Sequence, residues 1–243
     1  MDNSFPLRKT SAVSADIDYT IARSARRRSV SIEGRAGKVV LRAPMAVADS
    51  VLLTFLAQKA DWVRRKIAEQ QVSVNAVPTR IYEAGARVPF MDQELTLVIG
   101  MGSTAAVKRV DNNLHVLLSS RSSQAREQQI KRLVSRWYQQ QALIVLTQKT
   151  QQLCQRMALV CTQVTIKATR SKWGHCTSAG AIQYNWQILL APEAIVDYLV
   201  AHEVSHLRHH NHSAEFWALV ASVCPDFKQQ RQWLKQQSAH LAL

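Results

Sequence analysis

The chain has 243 residues, enough to bury a sizeable core as one large domain or two small ones. Hydrophobic content of 47% against 20% charged residues describes a globular protein, and no apolar run reaches the roughly 18 residues that a membrane span needs. The net charge of +14 excludes an acidic surface and suits polyanions such as nucleic acid, or simple solubility. The charge divides evenly. Residues 1–122 carry 18 basic and 11 acidic side chains, and residues 123–243 carry 13 and 6, so each part holds +7. The opening stretch MDNSFPLRKTSAVSADIDYT lacks the apolar core of a signal peptide. Cys154, Cys161, Cys176 and Cys224 form no C-x-x-C pair and read as reduced thiols, so a cytoplasmic protein is expected.

Residues 1–16 carry no periodic pattern and are expected to be disordered. Val30 and Ile32 alternate with Ser29 and Ser31, Gly34 to Gly37 marks a turn, and Val39 and Leu41 resume the alternation. This predicts a hairpin, with Arg26-Arg27-Arg28 as a solvated edge at its start. Pro44 ends it. Asp49 is placed to cap one helix whose apolar face is Leu52, Phe55, Leu56, Trp62, Val63 and Ile67, which puts Trp62 in the core. Short strands follow between Pro78 and Leu118: Leu95–Ile99, Val107–Val110 and Leu114–Leu118, with Asp111-Asn112-Asn113 as a turn.

The polar run Ser119 to Ser123 reads as a domain boundary. A long helix from about 124 to 158 comes next, with Ile130, Leu133, Val134, Trp137, Leu143, Ile144, Leu153 and Met157 on one face. Val164–Ala168 and Ile182–Ile188 alternate as strands around the loop from Arg170 to Gly180, and predict a second hairpin. The expected class is α+β: an antiparallel β-rich part with one helix over 17–122, then a mostly helical part with a β-hairpin over 123–243.

The densest chemistry lies in Pro192–Trp217, PEAIVDYLVAHEVSHLRHHNHSAEFW, which holds five of the eight histidines. Ile195, Val196, Leu199, Val200 and Leu207 recur at helical spacing, and Pro192 suits a first turn. His202 and His206 then lie one turn apart on one face, where both imidazoles can reach a single zinc ion. Glu203 is near enough to touch a water on that ion without binding it, the general-base arrangement of a metal-dependent hydrolase. A catalytic zinc needs a third ligand. On a straight helix His209 and His210 would stand about 10–12 Å along the axis from His202, too far for one ion. They read instead as helix-end histidines favoured by the dipole. Asn211 tolerates the left-handed conformation that turns a chain back, and His212 follows it. The ligand set is therefore taken as His202, His206 and His212, one zinc per chain, with Glu203 as base. Glu215 is the rival third ligand, and Cys176 a lesser zinc candidate.

The order of these segments resembles a known family. A loop reading Arg-Ser-Lys-Trp-Gly-His-Cys-Thr-Ser, an Asn-Trp strand, then Asp-Tyr-Leu-Val-Ala-His-Glu-Val-Ser-His-Leu, Asn-His-Ser-x-x-Phe-Trp and Cys-Pro-Asp are similar to the YgjP-like zinc metallopeptidases, relatives of SprT-like proteins. The resemblance runs from about Tyr19 and departs at His175, where the family usually has serine. It implies a zincin-like metallopeptidase domain over 123–243, zinc on His202, His206 and His212, and Glu203 as base. His175 and Tyr184 are the candidates for stabilising an oxyanion, and strand Ile182–Ile188 for pairing with an extended peptide. The expected partner is a protein or peptide substrate, with non-specific nucleic-acid contact through the basic surface and no membrane. The competing class is a nucleic-acid-associated protein with a structural zinc; a peptidase acting on DNA-bound proteins would combine the two.

Overall fold

The computed structural model describes residues 17–35, 38–75, 81–169 and 172–241. The expected disorder of 1–16 lies outside the described residues. The chain divides into two compact units, residues 1–77 and 78–243.

In the first unit β1 (Tyr19–Ser24), β2 (Ser31–Arg35) and β3 (Lys38–Pro44) form a sheet of order β1-β3-β2. β2 and β3 make the expected antiparallel hairpin, while β1 joins the far side of β3 in parallel. Where one helix is predicted there are two, α1 (Asp49–Gln58) and α2 (Ala60–Asn75), broken at Lys59. Asp49 is the first residue of α1 rather than its cap, and its carboxylate takes the Arg23 guanidinium instead. The break corrects the buried stripe. Leu52, Leu56, Ala60 and Val63 face the core at helical spacing, alongside Tyr19, Val39, Leu41 and Ala43. Trp62 lies off that stripe and is 42% exposed, against the expectation that it is core.

The second unit begins with β4 (Arg87–Phe90), β5 (Gln93–Gly102), β6 (Ala106–Val110) and β7 (Asn113–Ser119), in the order β4-β5-β7-β6. The 32-residue α3 (Arg126–Met157) follows, about 48 Å long. Its Ile130, Leu133, Val134, Trp137 and Tyr138 share one core with Leu95, Leu97, Leu114 and Val116 of the sheet, whereas Leu143 and Ile144, expected on the same face, are exposed. The Ser119–Ser123 run therefore falls inside this unit, because a polar junction of that length leaves α3 free to fold back on the strands before it. Phe90, Trp137, Tyr138 and Trp186 pack ring on ring at the centre.

The remaining elements are β8 (Gln163–Lys167), β9 (Gly174–Cys176), β10 (Ala181–Asn185), a short 3-10 helix (Trp186–Leu190), α4 (Glu193–Ser205), α5 (Ala214–Val223) and α6 (Phe227–Gln237). The third sheet has the order β8-β10-β9. The predicted hairpin of 164–168 with 182–188 is not formed: β8 and β10 run parallel, and the hairpin is β9–β10. Trp186 to Ile188 are not strand. The Asn185 side chain accepts from Gln187 N at 3.1 Å, its amide donates to Thr169 O at 2.9 Å, and the strand ends there in a capped turn. All three sheets thus share one plan. A first and a third strand pair in parallel, and the second lies antiparallel on the third's other side. Three ties hold α4 to the rest of its unit. Glu193 N donates to Asp92 Oδ1 at 3.1 Å, and Lys149 Nζ on α3 meets Glu193 and Asp197 at 2.6 Å each. No described helix is long and apolar enough to cross a membrane.

Candidate metal centre

α4 is apolar on nearly every side, so it runs through the core rather than over it. Ile195, Val196, Leu199, Val200 and Val204 are all buried. It ends at Ser205 with His206 as its cap. The chain reverses through tightened turns: Leu207 N bonds Val204 O at 3.0 Å, and Arg208 N bonds Ser205 O at 3.2 Å. Asn211 is not left-handed, as the sequence pattern suggested, because these turns already reverse the chain. Ser213 caps α5 by accepting from Phe216 N at 3.4 Å, which places His212 just outside the helix and Phe216 in its first turn.

These local rules bring three imidazoles together. The ligand atoms of His202, His206 and His212 all lie within 4.8 Å of one another. His202 Nε2 and His212 Nε2 are 3.1 Å apart. Two nitrogens on a tetrahedral zinc at 2.0–2.1 Å stand about 3.3 Å apart, so the spacing suits that ion. His206 Nδ1 lies 3.0 Å from the His209 carbonyl, which can only accept; Nδ1 carries the proton and Nε2 keeps its lone pair. Phe216 is fully buried and packs against all three rings, at 4.5–5.0 Å between centroids. Trp217 stacks on His212, and Arg231 from α6 lies over the Trp217 ring at 4.6 Å. Burial, then the neighbouring His206 and His212, and Arg231, push His202 down to about 3. Burial also lowers His206. Both rings are therefore neutral at physiological pH, the form that binds a metal.

Glu203 is 4% exposed, and burial pushes its carboxyl up to about 8 despite the opposing charge of Lys172. Its carboxylate rests against Gly174 of β9. A Cβ on Gly174 would fall 2.3 Å from Glu203 Oε1 and 2.5 Å from Cδ. Two contacts hold that stretch of β9: Asn185 N donates to Trp173 O at 2.7 Å, and Trp173 Nε1 to Ser238 Oγ at 3.1 Å.

The other candidates fall elsewhere. Glu215 is exposed in the first turn of α5, its carboxyl lowered by a hydrogen bond from Ser213, and it stands outside the histidine group. Cys176 is also outside it, and its thiol is pushed up to about 11 by burial and by Glu203. Tyr184 is fully buried, with its hydroxyl 2.9 Å from Thr150 Oγ1, so it is committed to the core. His175 is exposed on β9. β10 lies between β8 and β9 with both edges taken, which removes it as a peptide-pairing strand; β8 and β9 are the strands at the sheet edges. Gly174, Trp217 and Arg231 escape sequence reasoning. Trp173-Gly174 stands out as a loop signal, but nothing local says that Glu203 fills the space.

Comparison with protein families finds a match to the YgjP-like metallopeptidase domain over residues 28–237. Comparisons with curated proteins and with solved structures give no match. The matched span covers most of both units and includes the histidine helix, the turn after it and the β9 loop, so the chain belongs to the YgjP-like metallopeptidases.

Proposed function

We propose that the protein is a zinc-dependent peptidase in which His202, His206 and His212 hold the metal and Glu203 is the general base. The observation that carries this is the convergence of three imidazoles within 4.8 Å, with Glu203, the residue after the first of them, buried. The donor set suits zinc, which favours imidazole and tetrahedral geometry, and three ligands leave a position open for chemistry. A structural zinc would be closed by four protein ligands, and the described residues supply a group of three.

Zinc supplies Lewis-acid polarisation of a carbonyl and acidifies a water to near neutrality. The protein supplies the proton traffic. Glu203, as the carboxylate, takes a proton from the attacking water and returns it to the leaving amine as the peptide bond breaks. Phe216 excludes water from the base of the site, and Trp217 fixes the plane of His212. The edge of β9 offers backbone groups for an extended substrate to add as a strand.

The deciding experiment is Glu203→Gln, assayed on casein. The variant keeps its zinc, since Glu203 is not a ligand, while hydrolysis falls by about 10²–10⁴. Hydrolysis unchanged in Glu203→Gln, with contaminating proteases excluded, defeats the mechanism. Zinc lost from this variant reassigns Glu203 as a ligand.

A further inference from the structure

We infer that the exposed face of α2 docks single-stranded nucleic acid, with Trp62 as a stacking platform set among cations. Trp62 is 42% exposed, although an indole of this size is ordinarily among the more buried side chains. The helix spends its apolar stripe elsewhere, on Ala60, Val63 and Ile67. The residue three before Trp62 and those three and four after it share its face, and these are Lys59, Arg65 and Lys66. Lys59 sits at the start of α2, where its carbonyl accepts from Val63 N at 2.9 Å.

The acids that would repel a polyanion are largely tied up. Asp61 is paired with Arg64 at 3.0 Å, Glu33 with Arg42 at 2.8 Å, and Asp49 with Arg23. Residues 1–77 carry 13 basic and 7 acidic side chains, a net +6, so this third of the chain holds nearly half of the total +14.

The chemistry selects the partner. Cations alone would track any phosphate backbone, and they bind duplex and single strand alike. An accessible indole among them adds a surface on which an unpaired base can stack, and that surface is of little use to a duplex, whose bases are already stacked. A membrane-seated helix would need a broad apolar face around the tryptophan. Here its neighbours on that face are charged, and Val63 and Ile67 point to the core. The docking face belongs to the first unit and does not depend on the peptidase assignment.

The test is fluorescence anisotropy of the full chain with a labelled oligothymidylate and with a duplex, between about 50 and 200 mM salt. The wild type binds the single strand more tightly than the duplex. Trp62→Ala weakens single-strand binding about tenfold and leaves the salt slope and duplex binding unchanged, whereas Trp62→Phe keeps most of the affinity. Lys59→Ala with Arg65→Ala flattens the salt slope by about 0.7 for each cation removed. Glu203→Gln binds as the wild type does. Equal single-strand affinity in wild type and Trp62→Ala overturns the inference, as does an equal loss on duplex. Absence of single-strand binding at the low salt also overturns it. Trp62-dependent capture by anionic vesicles without single-strand binding assigns the face to membranes instead.

Discussion

Replacing Gly174 by alanine adds one methyl group, and the structure states where it goes. Its Cβ would stand 2.3 Å from Glu203 Oε1, 2.5 Å from Cδ and 2.6 Å from Cγ, where ordinary contact begins near 3.4 Å. At least about 1 Å of movement must come from one side or the other. Glu203 is 4% exposed, and Trp173, the residue before Gly174, is held by Asn185 and Ser238. Overpacking of this kind costs about 1–3 kcal/mol. For a chain of this size that lowers Tm by roughly 2–4 °C per kcal/mol. On the proposed mechanism, a Glu203 that yields carries its carboxyl away from the attacking water, and a misplacement of about 1 Å lowers the rate by about 10². Zinc content should not change, because none of the three histidines moves. The discriminating measurement is a double-mutant cycle on thermal stability. Gly174→Ala destabilises the wild type but is nearly neutral in Glu203→Ala, where the colliding carboxylate is gone, so the two sites couple by about 1–3 kcal/mol. An equal penalty in both backgrounds refutes the contact as the cause. So does wild-type stability with wild-type activity in Gly174→Ala.

Four further expectations concern the metal centre. His202→Ala, His206→Ala and His212→Ala each lose the single zinc, while Glu215→Ala keeps it; metal analysis of the purified variants decides this, and the reverse result for His212 and Glu215 would exchange their roles. Trp217→Ala, which removes the ring stacked on His212, lowers zinc affinity about 10–100-fold in chelator competition, and unchanged affinity would limit Trp217 to packing. In metal-free protein His202, depressed from 6.5 to about 3, makes stability fall as pH drops below 6.5, because only the unfolded chain binds that proton. Glu203, raised from 4.5 to about 8, makes stability fall as pH rises from 4.5 to 8, because the folded chain holds that proton. The two slopes offset each other between 4.5 and 6.5, so urea unfolding of the chelated protein should show a plateau there, and Glu203→Gln should abolish the decline on its alkaline side.

Local rules made the histidine site legible. The spacing of His202 and His206, the need for a turn before a third donor, and the cap at Ser213 are all short-range, and the folded chain brings those side chains together. The strand stretches were legible for the same reason. What the pattern hid was pairing. Nothing within Gln163–Lys167 says that it lies parallel to Ala181–Asn185 rather than opposite it, because alternation marks a strand without naming its neighbour. The apolar residues Leu52 to Ile67 fit one helix or two, and only the break at Lys59 turns Trp62 outward. Gly174 was hidden more deeply: its partner lies 29 positions away, on an element that had to arrive before the space had meaning.

The shared plan of the three sheets sets an order of assembly. In each, the last strand of the trio is the central one, so neither ladder can begin until that strand is made. The second and third strands can then close locally as a hairpin, while the first must wait and dock onto a finished edge. During synthesis at about 5–20 residues per second, β1, β5 and β8 each emerge with no partner inside their trio. The long α3 leaves the ribosome before any strand of the third sheet exists, and offers β8 a surface to lie on in the meantime. The β9–β10 hairpin then closes onto that strand and carries Gly174 with it. α4 follows, so Glu203 emerges only after its seat against Gly174 has formed.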